Sequence, residues 1–163
     1  MQLVANIFSF VGAITLLYST FNKEKDKILC VQAISSGASV ISYLLIGSYS
    51  AMLISAIAVI RNILTAKDKM TPNLLFTISA ILIFLGLCTN TKGLVGLLPI
   101  IASVEYTIWS AKGTTAQSLR WAIVVNLALW LIHDICVSLY LFIVMDLVIL
   151  IATIVNIIKN RSS

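Results

Sequence analysis

Between Leu119 and Ile158 the chain runs almost without a break through apolar residues, and the only charged side chains and histidine in that stretch are Arg120, His133, Asp134 and Asp146. A single helix over residues 119–158 would be about 60 Å long, twice the roughly 30 Å of bilayer hydrocarbon. The stretch must double back once. His133, Asp134 and Ser138 form the polar cluster nearest its midpoint and place the turn at 134–138. Five further apolar stretches precede it, at residues 4–18, 28–46, 51–64, 74–88 and 94–110. The breaks between them are a charged loop at Asn22-Lys23-Glu24-Lys25-Asp26-Lys27, a tight turn at Gly47-Ser48-Tyr49-Ser50, and a second charged loop at Lys67-Asp68-Lys69. Thr71-Pro72 then reads as a helix cap followed by proline at the first helical position. Thr89-Asn90-Thr91-Lys92-Gly93 and Lys112-Gly113-Thr114-Thr115 complete the set.

Of the 163 residues, 60% are hydrophobic and 10% charged, where a soluble domain carries about a quarter charged residues. The expected fold is all-α: a polytopic membrane protein of seven transmembrane helices, with no room for a separate soluble domain. The net charge of +5 comes from basic residues spread over short loops. A nucleic-acid surface would gather them on one face between aromatics, so nucleic acid is not an expected partner. Cys30, Cys88 and Cys136 are odd in number and widely separated, which points to free thiols in helices rather than a metal or disulfide framework. Residues 1–6 carry no Lys or Arg, so the first apolar stretch reads as a helix and not as a signal peptide.

Lys and Arg collect in cytoplasmic loops. Seven crossings with the N-terminus outside and the C-terminus cytoplasmic put Lys23, Lys25, Lys27, Arg61, Lys67, Lys69, Lys112, Arg120, Lys159 and Arg161 on the cytoplasmic side, and only Lys92 outside. Making the short 51–64 stretch re-entrant would move Arg61, Lys67 and Lys69 to the wrong side. The charges therefore predict that it crosses.

An internal repeat is also visible. At an offset of 88, Tyr18 aligns with Tyr106 and Phe21 with Trp109, each pair preceding a basic loop. At an offset of 94, Ile60-Arg61-Asn62-Ile63 aligns with Ile154-Val155-Asn156-Ile157. The implied organisation within one transmembrane domain is a three-helix repeat over 1–66, a linker helix over 67–92 and a second three-helix repeat over 93–163. Parallel repeats of this kind are a known transporter plan.

Gln32, Tyr43, Gly47, Ile60-Arg61, Leu97-Leu98-Pro99-Ile100, Trp130-Leu131-Ile132-His133 and Asn156-Ile157-Ile158 lie in two stretches, 21–62 and 97–160, that resemble the YgjV family of bacterial inner-membrane proteins. That resemblance implies location and fold: a multi-pass protein of the bacterial plasma membrane. The three-one-three plan is in turn similar to that of the SWEET sugar facilitators and the PnuC vitamin transporters, which implies a solute path between the two three-helix halves. Those transporters tend to carry prolines in the first helix of each repeat. Pro99 matches in the second repeat, while Val11 stands at its counterpart in the first.

Ionisable groups within a membrane are functional candidates because they are costly there. Glu105 is expected in the cytoplasmic half of the fifth helix, either paired with Arg61 or Arg120 or serving a substrate or proton. His133 and Asp134 at the outer end of the sixth helix, with Asp146 two turns into the seventh, form an outer polar cluster with Lys92. The cluster is open to two readings, a titratable gate or polar residues marking an interfacial turn. Ser35, Ser36 and Ser39 on the second helix and Asn126 on the sixth fall near mid-membrane, where they can line a cavity or bond helix to helix. Pro99 lacks an N–H and is expected to kink the fifth helix.

The sequence contains no Gly-rich phosphate loop, no metal-ligand spacing and no Gly-x-Ser-x-Gly elbow. Neither catalysis nor a cofactor is expected. Two functional readings follow. One is a small-solute transporter or facilitator with a path lined by Ser36, Ser39 and Asn126, and Glu105 as a further candidate. The other is a non-transporting sensor or assembly subunit. The lipid bilayer and a small polar solute are the expected partners, and a homo-oligomer is compatible with both readings.

Overall fold

The computed structural model describes the backbone of residues 2–45, 47, 49–90, 93–136 and 140–159, and the side chains of all of these but 49, 50 and 140–142. Lys92, Ser138 and Arg161, all used in the sequence reading, lie outside the described residues. The chain is all-helical over this range: α1 (Gln2–Ser19), α2 (Lys25–Leu45), α3 (Tyr49–Ala66), α4 (Pro72–Thr89), a short 3₁₀ turn (Val95–Leu97), α5 (Leu98–Lys112), α6 (Ala116–Cys136) and α7 (Tyr140–Lys159).

Local chemistry sets several of the boundaries. α4 opens on Pro72, whose missing N–H would have no intrahelical acceptor at that position anyway. α2 carries Asp26 in its first turn, where a carboxylate complements the helix dipole, and Glu24 pairs with Lys27 at 2.9 Å beside it. Gly47 adopts a φ of +73° between α2 and α3, a conformation that glycine takes without strain. The turn there is tighter than expected, because Tyr49 and Ser50 already belong to α3. At the later fold-back, α6 continues through His133 and Asp134 to Cys136. The polar pair therefore occupies the last helical turn and not the turn itself.

Among the described residues, four helices, α1, α2, α4 and α6, are long and apolar enough to cross a membrane. The apolar part of α3, Ala51–Ala66, is shorter. The distribution of burial is that of a chain solvated by lipid. Large apolar side chains point outward, among them Phe76 (77% exposed), Phe84 and Ile34. Ser19, Thr20, Ser35, Ser42, Thr107, Ser110 and Thr153 are buried. In hydrocarbon, burying a leucine gains little, whereas small and hydroxyl residues let backbones approach and bond across helices.

The chain divides into two compact units, Met1–Thr71 and Pro72–Ser163. In the first, α2 is central and packs on both α1 and α3. α1 buries Ala5, Gly12 and Ser19, two turns apart. Ser35 donates to the Gly12 carbonyl at 2.7 Å and Ser42 to the Ala5 carbonyl at 2.9 Å, so α1 and α2 run antiparallel. In the second unit α6 is central and packs on α5 and α7, while α4 packs on α5. Helix α4, expected as a separate linker, thus belongs with the second triple. It buries Ile78, Leu82 and Gly86 along one face, and a Cβ at Gly86 would lie 2.5 Å from Ile100 Cγ1.

The central helices of the two triples have several features in common. α2 and α6 both have 21 residues. Both α2 and α6, and both α3 and α7, begin 91 residues apart, at Lys25 and Ala116 and at Tyr49 and Tyr140. The eleventh residue of each central helix donates to a backbone carbonyl of the helix before it in its triple. Ser35 donates to the Gly12 carbonyl on α1, and Asn126 donates to the Ala102 carbonyl on α5 at 2.8 Å.

Candidate functional site

Glu105 is the eighth of the fifteen residues of α5, at the middle of the helix. The first residues of the 94–110 stretch form a turn and the 3₁₀ segment, and α5 extends on to Lys112. Both Glu105 carboxylate oxygens are buried and have no hydrogen-bond partner among the described residues. The ion pair expected with Arg120, in the same unit, is not formed among the described residues. Arg61 Nε donates to Asn62 Oδ1 at 3.1 Å, and Arg120 donates to Gln117 Oε1 at 3.2 Å.

The Glu105 side chain lines a groove of about 620 Å³ whose walls are otherwise Ile83 of α4 and Ile100, Ile101, Val104, Ile108 and Trp109 of α5, with Lys112 at one end. Val104, Glu105, Ile108, Trp109 and Lys112 share one face because residues three, four and seven apart align along a helix. That spacing is readable in the sequence once Glu105 is singled out. The contribution of Ile83 is not, since it depends on how α4 lies on α5. Trp109 is fixed in place, its indole Nε1 donating to Ser118 Oγ at 2.9 Å.

The mid-helix hydroxyls divide into two kinds. Ser35 and Ser42 bond α2 to α1, and Ser9 and Ser42 hydroxyls lie 2.7 Å apart. Ser39 donates back to the Ser35 carbonyl at 3.2 Å within its own helix. Ser36 is half-buried, with no hydrogen bond to its hydroxyl among the described residues. Ser35 and Asn126, each the eleventh residue of its helix, both serve as links between helices.

The outer cluster is partly assembled. His133 Nδ1 and Asp134 Oδ1 lie 2.8 Å apart, Asp134 is buried, and the His133 ring meets Trp130 edge-on at 5.7 Å. Asp146 on α7 is close enough to Asp134 to interact electrostatically. Among the described residues, no three His, Cys, Asp or Glu side chains are grouped to hold a metal ion. All three cysteines are free and exposed.

Pro99 corrects one expectation. It lies in the first turn of α5, where no intrahelical bond is lost, and the preceding Val95 carbonyl accepts from the Leu98 N–H. Pro99 marks the junction of the 3₁₀ turn with α5 and does not kink a longer helix.

No curated protein and no solved structure matches the chain. A family model described as a bacterial inner membrane protein, Imp-YgjV, matches residues 3–163. Covering nearly all of the sequence, and agreeing with helices that turn their apolar sides outward and their hydroxyls inward, that match makes this chain a member of the Imp-YgjV family of bacterial inner membrane proteins.

Proposed function

We propose that this protein is a small-solute transporter or facilitator in which all seven helices cross the bilayer, with the N-terminus outside and the C-terminus in the cytoplasm. The observation that supports this reading is that α2 and α6, each of 21 residues and each packed between two helices, bond through their eleventh residues, Ser35 and Asn126, to a carbonyl of the preceding helix of their triple. Two like triples joined by one additional helix are the plan of transporters built from parallel repeats.

Charge supports the orientation. Helices α1 and α2 run antiparallel, as do α6 and α7, where Gln117 Nε2 donates to the Ile157 carbonyl at 3.1 Å. Lys23, Lys25, Arg61 and Lys67 therefore gather at one end of the first unit, and Lys112, Arg120 and Lys159 at one end of the second. Basic ends favour the cytoplasmic side. Ser36, whose hydroxyl has no partner among the described residues, and the half-buried Asn126 are polar groups near the middle of their own helices that a polar solute could meet, with Ser39 on the helix of the one and Glu105 on the helix beside the other. Transport of this kind requires no catalytic group.

The test is accessibility. In full-length protein with Cys30, Cys88 and Cys136 replaced by alanine, Ser36→Cys and Asn126→Cys are exposed in membrane vesicles to a membrane-impermeant maleimide. A water-filled route makes both react well above an Ile34→Cys control, whose side chain faces outward. If neither reacts from either side, the mid-depth polar groups are packing contacts and the sensor or assembly-subunit reading replaces transport.

A further inference from the structure

The α4–α5 pair concentrates the polar atoms that the fold leaves unsatisfied. Among the described residues, four buried side-chain oxygens lack a hydrogen-bond partner: Ser79 Oγ, Glu105 Oε1, Glu105 Oε2 and Thr65 Oγ1. Three of them belong to α4 and α5. Gly86 faces Ile100 where the two helices approach, so in an antiparallel hairpin Ser79 comes level with Thr107, about 3 Å along the axis from Glu105. The unsatisfied hydroxyl and carboxylate thus lie at nearly one depth.

A carboxylate held in an apolar surround without a partner is costly, and only a proton or a cation relieves it. The groove over Glu105, about 620 Å³, is of the size that holds a small organic molecule. An inorganic cation suits it poorly, because hard cations need six or so oxygen ligands and the walls are isoleucine, valine and tryptophan. An organic cation loses little hydration on entering such a groove. Trp109, one turn beyond Glu105, adds an aromatic wall of the kind that attracts such cations. Lys112 is two turns, about 10 Å, along the helix and exposed, so it does not serve as a counter-ion to Glu105.

The geometry points to a binding site for a monovalent organic cation with an apolar body, its charge held over the enclosed Glu105 carboxylate and its body against Ile83, Val104, Ile108 and Trp109. Such a cation is a substrate only if the transport reading above holds, and binding and flux are therefore measured separately.

Full-length protein purified in a neutral detergent is titrated with tetraphenylphosphonium and, in parallel, with tetraphenylborate, an anion of the same shape. Saturable binding of the phosphonium, with the borate bound at least about tenfold more weakly, is the expected result, as is a loss of at least about tenfold in phosphonium affinity in Glu105→Gln. Glu105→Asp retains part of the affinity. Equal binding of the two ions, no saturable binding of either, or unchanged phosphonium affinity in a helical Glu105→Gln protein overturns the proposal. Should Glu105→Gln not fold, the charge selectivity of the unaltered protein and the effect of Val104→Trp, which fills the groove, decide the matter in its place. In proteoliposomes, selective binding without flux leaves the site standing and removes the transport reading. Flux of other solutes without charge-selective binding does the reverse.

Discussion

Gly12 and Gly37 stand on α1 and α2, the pair of helices whose close approach organises the first unit, and they face opposite surroundings. A Cβ at Gly37 meets nothing within 4 Å, whereas one at Gly12 would lie 3.2 Å from the Ser35 carbonyl oxygen, 3.5 Å from Ser39 Oγ and 3.6 Å from Ala38 Cβ. Replacing a helix-interior glycine by alanine gains about 0.5–1 kcal/mol from the reduced freedom of the unfolded chain. Gly37→Ala should realise that gain. At Gly12 the neighbour is backbone and cannot swing aside, so the helices separate slightly and the 2.7 Å bond from Ser35 to the Gly12 carbonyl lengthens. A bond of this kind within a membrane is worth about 0.6 kcal/mol on average, so Gly12→Ala comes out near neutral. Gly12→Leu has no space at all, and overpacking of about 1–3 kcal/mol outweighs the helix-propensity gain. Reversible unfolding of the purified full-length variants in mixed micelles with sodium dodecyl sulfate, followed by far-ultraviolet circular dichroism, gives the order. The expected ranking is Gly37→Ala above the unaltered protein, Gly12→Ala close to it, and Gly12→Leu lowest. A Gly12→Leu protein as stable as the unaltered chain would refute the close approach of α1 and α2 through Gly12.

Ser35→Ala and Asn126→Ala should each cost about 0.6 kcal/mol, and no more than about 1.7, because the Gly12 and Ala102 carbonyls they release are still free to accept bonds within their own helices. The double variant should show the sum, since the two bonds share no partner, and a clearly larger loss in the same unfolding assay would mean that one of these side chains does more than link helices. Glu105→Leu should stabilise the protein by about 1 kcal/mol or more, by removing buried polar atoms that have no partner. A fall in its melting temperature in detergent would show that the carboxylate is satisfied after all.

The helices were legible because the apolar runs and their punctuation are local. Thr71-Pro72 announced the start of α4, and the spacing of Lys and Arg separated one apolar run from the next. The stretch at 119–158 was legible as two helices, since no bilayer accommodates its full length as one, though its polar pair proved to lie inside α6. Pro99 misled for a related reason. A proline is a kink in mid-helix and a natural beginning in the first turn, and the sequence alone does not say where the helix starts.

The candidate site was less legible. Glu105 stood out because a lone carboxylate in an apolar run is costly, but whether an arginine reaches it depends on helix rotation and register. Arg120, in the same unit, donates to Gln117. Likewise Ser35 and Ser36 are adjacent in sequence, yet a rotation of about 100° per residue sends one against Gly12 and leaves the other without a partner. Composition and periodicity thus determined that this chain is a membrane-embedded set of helices and roughly where each begins, because lipid imposes its demands on every segment separately. Which hydroxyls join helices, that α4 packs with the second triple, and that Glu105 is left alone beneath an apolar groove were decided by tertiary packing, because those outcomes depend on angles and depths between segments that no single segment encodes.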